Sequence, residues 1–335
     1  MKKKPNIVVI GGGTGTYTVL QGLKKYPVNL SVIVSMMDSG GSNRILRDEF
    51  GILPTSDIRQ CMVALAGENT NDLVRDLFTY RYHQGTGIEG MTFGNLFMAA
   101  LSDIYGSQQD AIEKTCKFLG VKGNIIPVTY DNAHLVARYA NGAQVLGEHA
   151  IDEPDENNGN NRIVELSLMP DAKANIKAIE AIKTADVIVL GPGDLYTSII
   201  CNLVVDGIAD AINKSKAKKV FVVNMMTKFG QTNGFSASTH LGEIEKYLGK
   251  ESIDVCLVNK KNGVPKNIME RYEEEHADMV ENDIKSSKNL LVIEDIFQSD
   301  VVHKNQKADK LKRSLIRHDS DKLAKVIFGI CNEPS

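Results

Sequence analysis

Short runs of apolar, β-branched residues alternate with helix-period segments along almost the whole chain. Seven runs read as strands: Asn6–Ile10, Leu30–Ser35, Asn124–Val128, Val187–Leu190, Val220–Asn224, Asp254–Asn259 and Leu290–Glu294. They are largely continuous apolar stretches, the pattern of parallel strands covered on both faces. Between them, Val19/Leu20/Leu23, Ile58/Met62/Leu65 and Ile176/Ile179/Ile182 recur at the spacing of an amphipathic helix. The alternation predicts a Rossmann-like α/β fold, a mostly parallel sheet with helices on both faces.

One segment breaks the pattern. Leu135, Ala137 and Tyr139 alternate up to Asn141-Gly142, a hairpin signal because both turn positions favour positive φ. Residues 132–168 are therefore expected to form a small antiparallel β-hairpin insertion within a single domain spanning 1–335. Its polar stretch Asp152–Asn161 reads as an exposed loop, and the charged Lys304–Lys312 as a solvated surface helix or loop.

Composition narrows the function classes. A formal net charge of −3 leaves no electrostatic footprint for nucleic acid or an anionic membrane. No apolar stretch approaches the ~20 residues of a spanning helix. Lys2-Lys3-Lys4 leads into a short strand rather than the apolar run of a signal peptide, so the expected location is the cytoplasm. Cys61, Cys116, Cys201, Cys256 and Cys331 are far apart, without CxxC or Cys/His spacing, and read as buried small hydrophobes. No GxSxG elbow or HExxH is present, so hydrolase chemistry gains no support.

Candidate chemistry lies in the loops. Gly11-Gly12-Gly13-Thr14-Gly15 follows a strand and opens a helix, where glycine amides and the helix dipole suit a phosphate. It is neither a strict dinucleotide fingerprint, since Thr16 stands at the third glycine, nor a Walker loop. Asp38, with Gly40, Gly41 and Ser42, ends the second strand; it is placed either to meet a ribose or metal or to cap the following turn. Thr55 or Ser56 is the expected cap of the next helix, with Asp57 and Arg59 in its first turn. A cation there points to an anionic ligand or to a surface ion pair.

A second glycine loop, Gly191-Pro192-Gly193-Asp194 with Thr197 and Ser198, is expected to open an apolar helix running to about Ile212. Asn224 and Thr227 leave the next strand toward the same sheet edge. Two such loops on one sheet fit a crevice at a topological switch point. Near the C-terminus, Asp319 or Ser320 is expected to cap the last helix, leaving Arg317 and His318 at its mouth.

In this order the motifs resemble the YvcK, or gluconeogenesis factor, family of the CofD-like superfamily, over roughly residues 5–330. The matching elements are GGGTG, Asp38 with Gly40-Gly41-Ser42, Leu53-Pro54 with Asp57-Ile58-Arg59, and Phe93-Gly94-Asn95-Leu96. Gly191–Ser198 with Asn202-Leu203, Asn224 to Thr232 and Ile316-Arg317-His318-Asp319 complete the series. The resemblance implies a CofD-like fold and a UDP-sugar or related nucleotide as ligand, with Arg317 at the nucleotide-sugar and Asn95 among the site residues. It also implies a role in carbon-source-dependent growth, cell shape and envelope synthesis, and a homo-oligomer.

Two alternatives accompany that reading. The CofD branch implies a 2-phospho-L-lactate transferase with a guanylyl-activated donor and magnesium, held by Asp38 or Asp57. An NAD-binding oxidoreductase would use the same glycine loop. The chain departs from the family pattern at Asn43-Arg44-Ile45, where Arg44 replaces a glycine, at Thr55-Ser56 and at Thr239. These departures predict a reshaped loop after Ser42.

Overall fold

The computed structural model describes residues 3–67, 72–260, 264–295, 297–298 and 315–331, with only the backbone of Ser42 and Glu49. The Lys304–Lys312 stretch lies outside the described residues.

Seven strands form one parallel sheet: β1 (Asn6–Gly11), β2 (Asn29–Val34), β3 (Asn124–Pro127), β7 (Val187–Leu190), β8 (Lys218–Val222), β9 (Val255–Asn259) and β10 (Leu291–Asp295). Their order is β10-β9-β8-β7-β1-β2-β3. The chain winds outward from β1 through β2 to β3, then returns to β1's other side and winds the opposite way. The switch point is the boundary between β1 and β7, where Ile10 pairs with Leu190. Ligands of open α/β sheets bind at the carboxyl ends of the strands at such a point.

The continuous apolar runs are explained by burial on both sides. Ile7, Val9, Val32, Val187, Val189 and Val222 pack on one face with residues of the helices Gly13–Leu23, Ser56–Leu65 and Ser320–Ile330. Val8, Ile10, Ile33, Ile188, Leu190 and Phe221 pack on the other, with the helices Ile176–Thr184, Ile208–Lys214 and Ala237–Leu248. The strand period of two sends alternate residues to opposite cores, so nearly every position must be apolar.

The insertion is a three-stranded antiparallel sheet rather than a hairpin alone. β4 (His134–Tyr139) is central, between β5 (Gln144–Leu146) and β6 (Ile163–Met169). Gly142 takes a φ of 87° at the Asn141-Gly142 turn. Leu135, Ala137, Tyr139, Ile163 and Leu166 are buried in the second core, which ties the insertion to the main sheet.

Two expectations are corrected. Asp152–Asn161 is not an exposed loop throughout: Asp152 ends the short helix Glu148–Asp152, and Gly159 lies beneath the Phe229 ring with its carbonyl accepting from Asn233 Nδ2. The segment after Gly193 is not one helix to Ile212. A π-helical turn, Leu195–Ile200, passes into Cys201–Leu203, and Gly207 (φ 94°) separates it from Ile208–Lys214. After Ser42, the departing residues are accommodated as ordinary helix, Gly41–Phe50; Asn43 is buried and Arg44 is exposed beside Asp48. All five cysteines are free, three of them buried.

Candidate functional site

The loops that leave β1, β7 and β8 converge at the switch point and line a cleft of about 610 Å³. Gly12 to Gly15 form one wall, Pro192-Gly193-Asp194 and Ser198 the next, and Asn224 to Phe229 a third. The insertion contributes Asp152, Glu153 and Pro154; Tyr272, Glu274 to Ala277 and Ile316-Arg317-His318 complete the lining.

The two glycine loops are in backbone contact. A Cβ on Gly15 would stand 2.2 Å from the Pro192 carbonyl oxygen, and one on Gly193 would stand 3.4 Å from the Gly12 oxygen. Gly191 has a φ of 75°, in the left-handed region that favours glycine. Asn224 Nδ2 donates to the Gly193 carbonyl at 2.8 Å and fixes the third loop to the second. The helix Gly13–Leu23 starts at the cleft without a side-chain cap or an acidic residue of its own in its first turn. That is the backbone arrangement in which helix amides receive an anion.

Asp57 occupies part of this position. Its carboxyl lies against Gly12 and accepts from the Gly13 amide. Burial, and next the charge of Asp38, push it up to about 7, against the opposing effects of that amide and Arg59. Arg59 itself turns inward: Nε donates to Asn95 Oδ1 at 3.1 Å and Nη1 to the Phe78 carbonyl at 3.2 Å. Thr55 is the N-terminal cap residue of this helix, but its side chain makes no capping bond.

Asp38 turns back on its own loop. Its Oδ1 accepts from the Gly40 amide at 2.8 Å and its Oδ2 from Asn43 Nδ2 at 2.5 Å. Asn43 also reaches Ser56, and Asn95 donates to both Asn43 and Ser56. Burial, with Asp38 beside it, raises the Glu148 carboxyl well above its ordinary range. The magnesium implied by the CofD resemblance therefore has no ready-made cage here. Both Asp38 oxygens are engaged, and among the described residues no three His, Cys, Asp or Glu side chains are grouped to hold a metal. Asp57 stays close enough to the glycine loop to join a metal completed by ligand phosphates, the usual way magnesium is held.

Lys228, Asp152 and Tyr272 are not among the site residues expected from the sequence, yet all three line the cleft. Lys228 Nζ donates to Asp152 Oδ1 at 2.5 Å and Asp194 Oδ2 at 2.7 Å. Thr197 Oγ1 and Gln231 Nε2 both donate to the same Asp152 oxygen at 3.0 Å. Burial opposes the Lys228 charge, but the two carboxylates outweigh it and raise its pKa above the ordinary lysine value. Tyr272 Oη accepts from the Leu315 and Ile316 amides at 2.9 and 3.1 Å, fixing the backbone immediately before Arg317. Asp319 caps the last helix, accepting from the amides of Asp321 and Lys322, as expected. His318 beside it is neutral: burial pushes its pKa down to about 4 despite a backbone hydrogen bond with Val223.

Of the expected site residues, the cleft lining brings together Gly12, Gly13, Thr14, Gly15, Gly193, Asp194, Ser198, Asn224, Thr227 and Arg317. Gly11 and Gly191 lie just behind it at the strand ends, Thr197 behind it on Asp152. Asp38, Gly40, Arg59 and Asn95 belong to the adjoining loop and its hydrogen-bond network, outside the lining; Gly41 and the backbone of Ser42 open the helix that follows Gly40. No helix among the described residues is long and apolar enough to cross a membrane.

This architecture has known relatives. The family model described as 2-phospho-L-lactate transferase CofD matches residues 7–297. A Thermotoga maritima protein named "Putative gluconeogenesis factor" is 42% identical over 325 residues, covering 97% of this chain and 98% of its own length. The "Gluconeogenesis factor" of Bacillus subtilis is 36% identical over 334 residues, covering 99% of this chain and 100% of its own. A crystal structure of a Bacillus halodurans protein superposes with a TM-score of 0.88 at 35% identity, covering 97% of this chain and 100% of that one. A second structure, with a TM-score of 0.86, is described as a member of the UPF0052 family. By the family model and these near full-length relatives, the chain belongs to the CofD family and, within it, to the gluconeogenesis factor (YvcK, UPF0052) group.

Proposed function

We propose that the protein binds a nucleotide-sugar of the UDP-sugar class in the switch-point cleft and acts as a regulator of carbon-source-dependent growth, cell shape and envelope synthesis. The observation that carries the reading is the backbone contact between the Gly12–Gly15 and Gly193 loops. It leaves backbone walls free of side chains where a diphosphate would sit, beside a helix start that has no cap of its own and whose Gly13 amide is held by Asp57. Arg317, in the same lining, supplies a guanidinium suited to phosphate. A cleft of about 610 Å³ is within the range that holds a ligand of this size.

The relatives named gluconeogenesis factor support the regulatory side of the proposal. The CofD description supports the rival, a transferase acting on a guanylyl-activated donor, in which Asp57 would serve a magnesium–phosphate complex.

Calorimetry and thermal melting with UDP-N-acetylglucosamine, GDP and NAD, each with magnesium and with EDTA, separate these readings. At ~100 times the dissociation constant a ligand adds about 2.7 kcal/mol of stability, which melting resolves. UDP-sugar binding that survives EDTA and yields no turnover supports the regulator. Magnesium-dependent guanine-nucleotide binding with turnover of a phospholactyl donor supports the transferase. If none of the three ligands shifts melting, the cleft is not a nucleotide site.

A further inference from the structure

The charged side chains around the cleft are unevenly divided. Among the described residues, Asp152, Glu153, Asp194, Glu274 and Glu275 line it with carboxylates, whereas Lys228 and Arg317 are the Lys and Arg residues in the lining. An anionic ligand entering there meets a predominantly acidic rim, so its position depends on where the cations are fixed. Lys228 is fixed with particular firmness. Its ammonium is held between Asp152 of the insertion and Asp194 of the second glycine loop, at 2.5 and 2.7 Å. Asp194 directly follows Gly193, the residue whose backbone meets the Gly12 carbonyl. The two carboxylates thus anchor the ammonium to the segment where the glycine loops converge. An ammonium carries three N–H donors, and these two bonds use two of them.

We infer that Lys228 is a phosphate-contacting residue of the cleft, with Asp152 and Asp194 as its positioning residues. It presents the remaining N–H to a diphosphate seated on Gly12–Gly15. The inference rests on the nucleotide-sugar reading for its location, but concerns the diphosphate alone. Neutralising carboxylates keep the lysine extended in the cleft before any ligand arrives, so little side-chain freedom is lost on binding. The insertion thereby takes part in recognition through Asp152.

The test measures binding of inorganic pyrophosphate, UDP-N-acetylglucosamine and uridine to the full chain by calorimetry. Lys228→Gln should weaken pyrophosphate and UDP-N-acetylglucosamine at least tenfold and leave uridine unchanged, while Lys228→Arg stays within about threefold of the parent. Because Lys228→Gln leaves two carboxylates unpaired, the triple variant Asp152→Asn, Asp194→Asn, Lys228→Gln is measured beside it. That variant makes the cleft more positive by one charge. General electrostatics alone would tighten pyrophosphate binding, whereas loss of a direct contact weakens it. Unchanged or tighter pyrophosphate binding in the triple variant overturns the inference, as does an equal loss for uridine in Lys228→Gln. A parent protein that binds pyrophosphate but not UDP-N-acetylglucosamine overturns the nucleotide-sugar reading and leaves Lys228 standing. One that binds neither overturns both.

Discussion

Asp57 and Gly12 are packed so closely that a Cβ on the glycine would stand 2.1 Å from the carboxylate Oδ2 and 3.0 Å from Cγ. The carboxyl also accepts from the next amide, Gly13, so it acts as the cap that the Gly13–Leu23 helix lacks in its own sequence. A group 44 residues later in the chain, at the start of another helix, completes the first loop. The loop's shape is therefore a tertiary property.

Substitution of the loop glycines should separate side-chain from backbone obstruction. At Gly12 the obstacle is the Asp57 side chain, which can swing away at the expense of its hydrogen bond; Gly12→Ala should cost about 1–3 kcal/mol. At Gly15 the obstacle is the Pro192 carbonyl and carbon, at 2.2 and 2.6 Å, and a backbone cannot rotate clear. Gly15→Ala should cost more than about 3 kcal/mol, although alanine is the better helix former. Urea denaturation of both variants checks the order; equal costs would show that the two loops part easily.

The raised Asp57 pKa gives a slope in stability against pH. The folded carboxyl titrates at about 7 against an ordinary 3.8, so between these values the folded state holds more of the proton than the unfolded chain. Stability from this group is full below about 4 and is lost as pH rises through 7. At 1.36 kcal/mol per unit for a half-buried group, the loss is on the order of 2–4 kcal/mol. Asp57→Asn should remove this fall, so that its melting temperature gains on the parent's as pH rises across that interval and exceeds it at pH 8. A variant with the parent's slope would place the titration elsewhere, on Asp38 or Glu148, whose carboxyls burial also raises.

The parallel sheet could be read from the sequence because burial on both faces forces continuous apolar strands, and such runs as Val187–Leu190 carry no competing signal. The glycine loops were legible for the same reason: a close backbone approach excludes side chains, and only glycine allows it. Asp152 and Lys228 were not. Asp152 begins the stretch Asp-Glu-Pro-Asp-Glu-Asn-Asn-Gly-Asn-Asn, whose composition is that of a solvated loop. Polarity directed into a cleft and polarity directed into water look alike without the fold. Arg59 failed in the opposite way. Its place in a helix's first turn suggested an anion, but the Asn95 amide oxygen and the Phe78 carbonyl, distant in sequence, draw it inward. The expected helix to about Ile212 breaks at Gly207, a glycine within apolar residues that on their own read as one continuous helix.

Asp152 should be the most sensitive single residue of the insertion. One of its oxygens accepts from Lys228, Thr197 and Gln231, so Asp152→Ala leaves three donors without their acceptor. The side chain is 25% exposed, which lets water replace part of the loss, so the cost should be about 1–3 kcal/mol. Local loosening should exceed the global effect. Pro154 packs on Gly230 and Gly159 on Phe229, and both contacts depend on the anchor between them. Limited proteolysis within Glu153–Asn161 should accelerate in the variant by more than cleavage elsewhere; uniform acceleration would mean that the anchor stabilises the whole domain.

His318 opposes Asp57 over nearly the same pH interval. Its folded pKa is about 4, below the ordinary 6.5, because burial disfavours the imidazolium, and Nε2 is buried without a protein partner. Between these values the unfolded chain holds more of the proton, so this group contributes stability that is present above about 6.5 and lost as pH falls toward 4. The two slopes partly cancel in the parent protein, whose melting temperature should therefore vary little between pH 4.5 and 6.5. The variants should uncover each slope separately. His318→Asn removes the acid-side loss, so its stability falls with rising pH under the influence of Asp57; Asp57→Asn leaves a curve that rises with pH. Melting curves at half-unit steps check the pair, and parallel curves for both variants would show that neither group controls the profile.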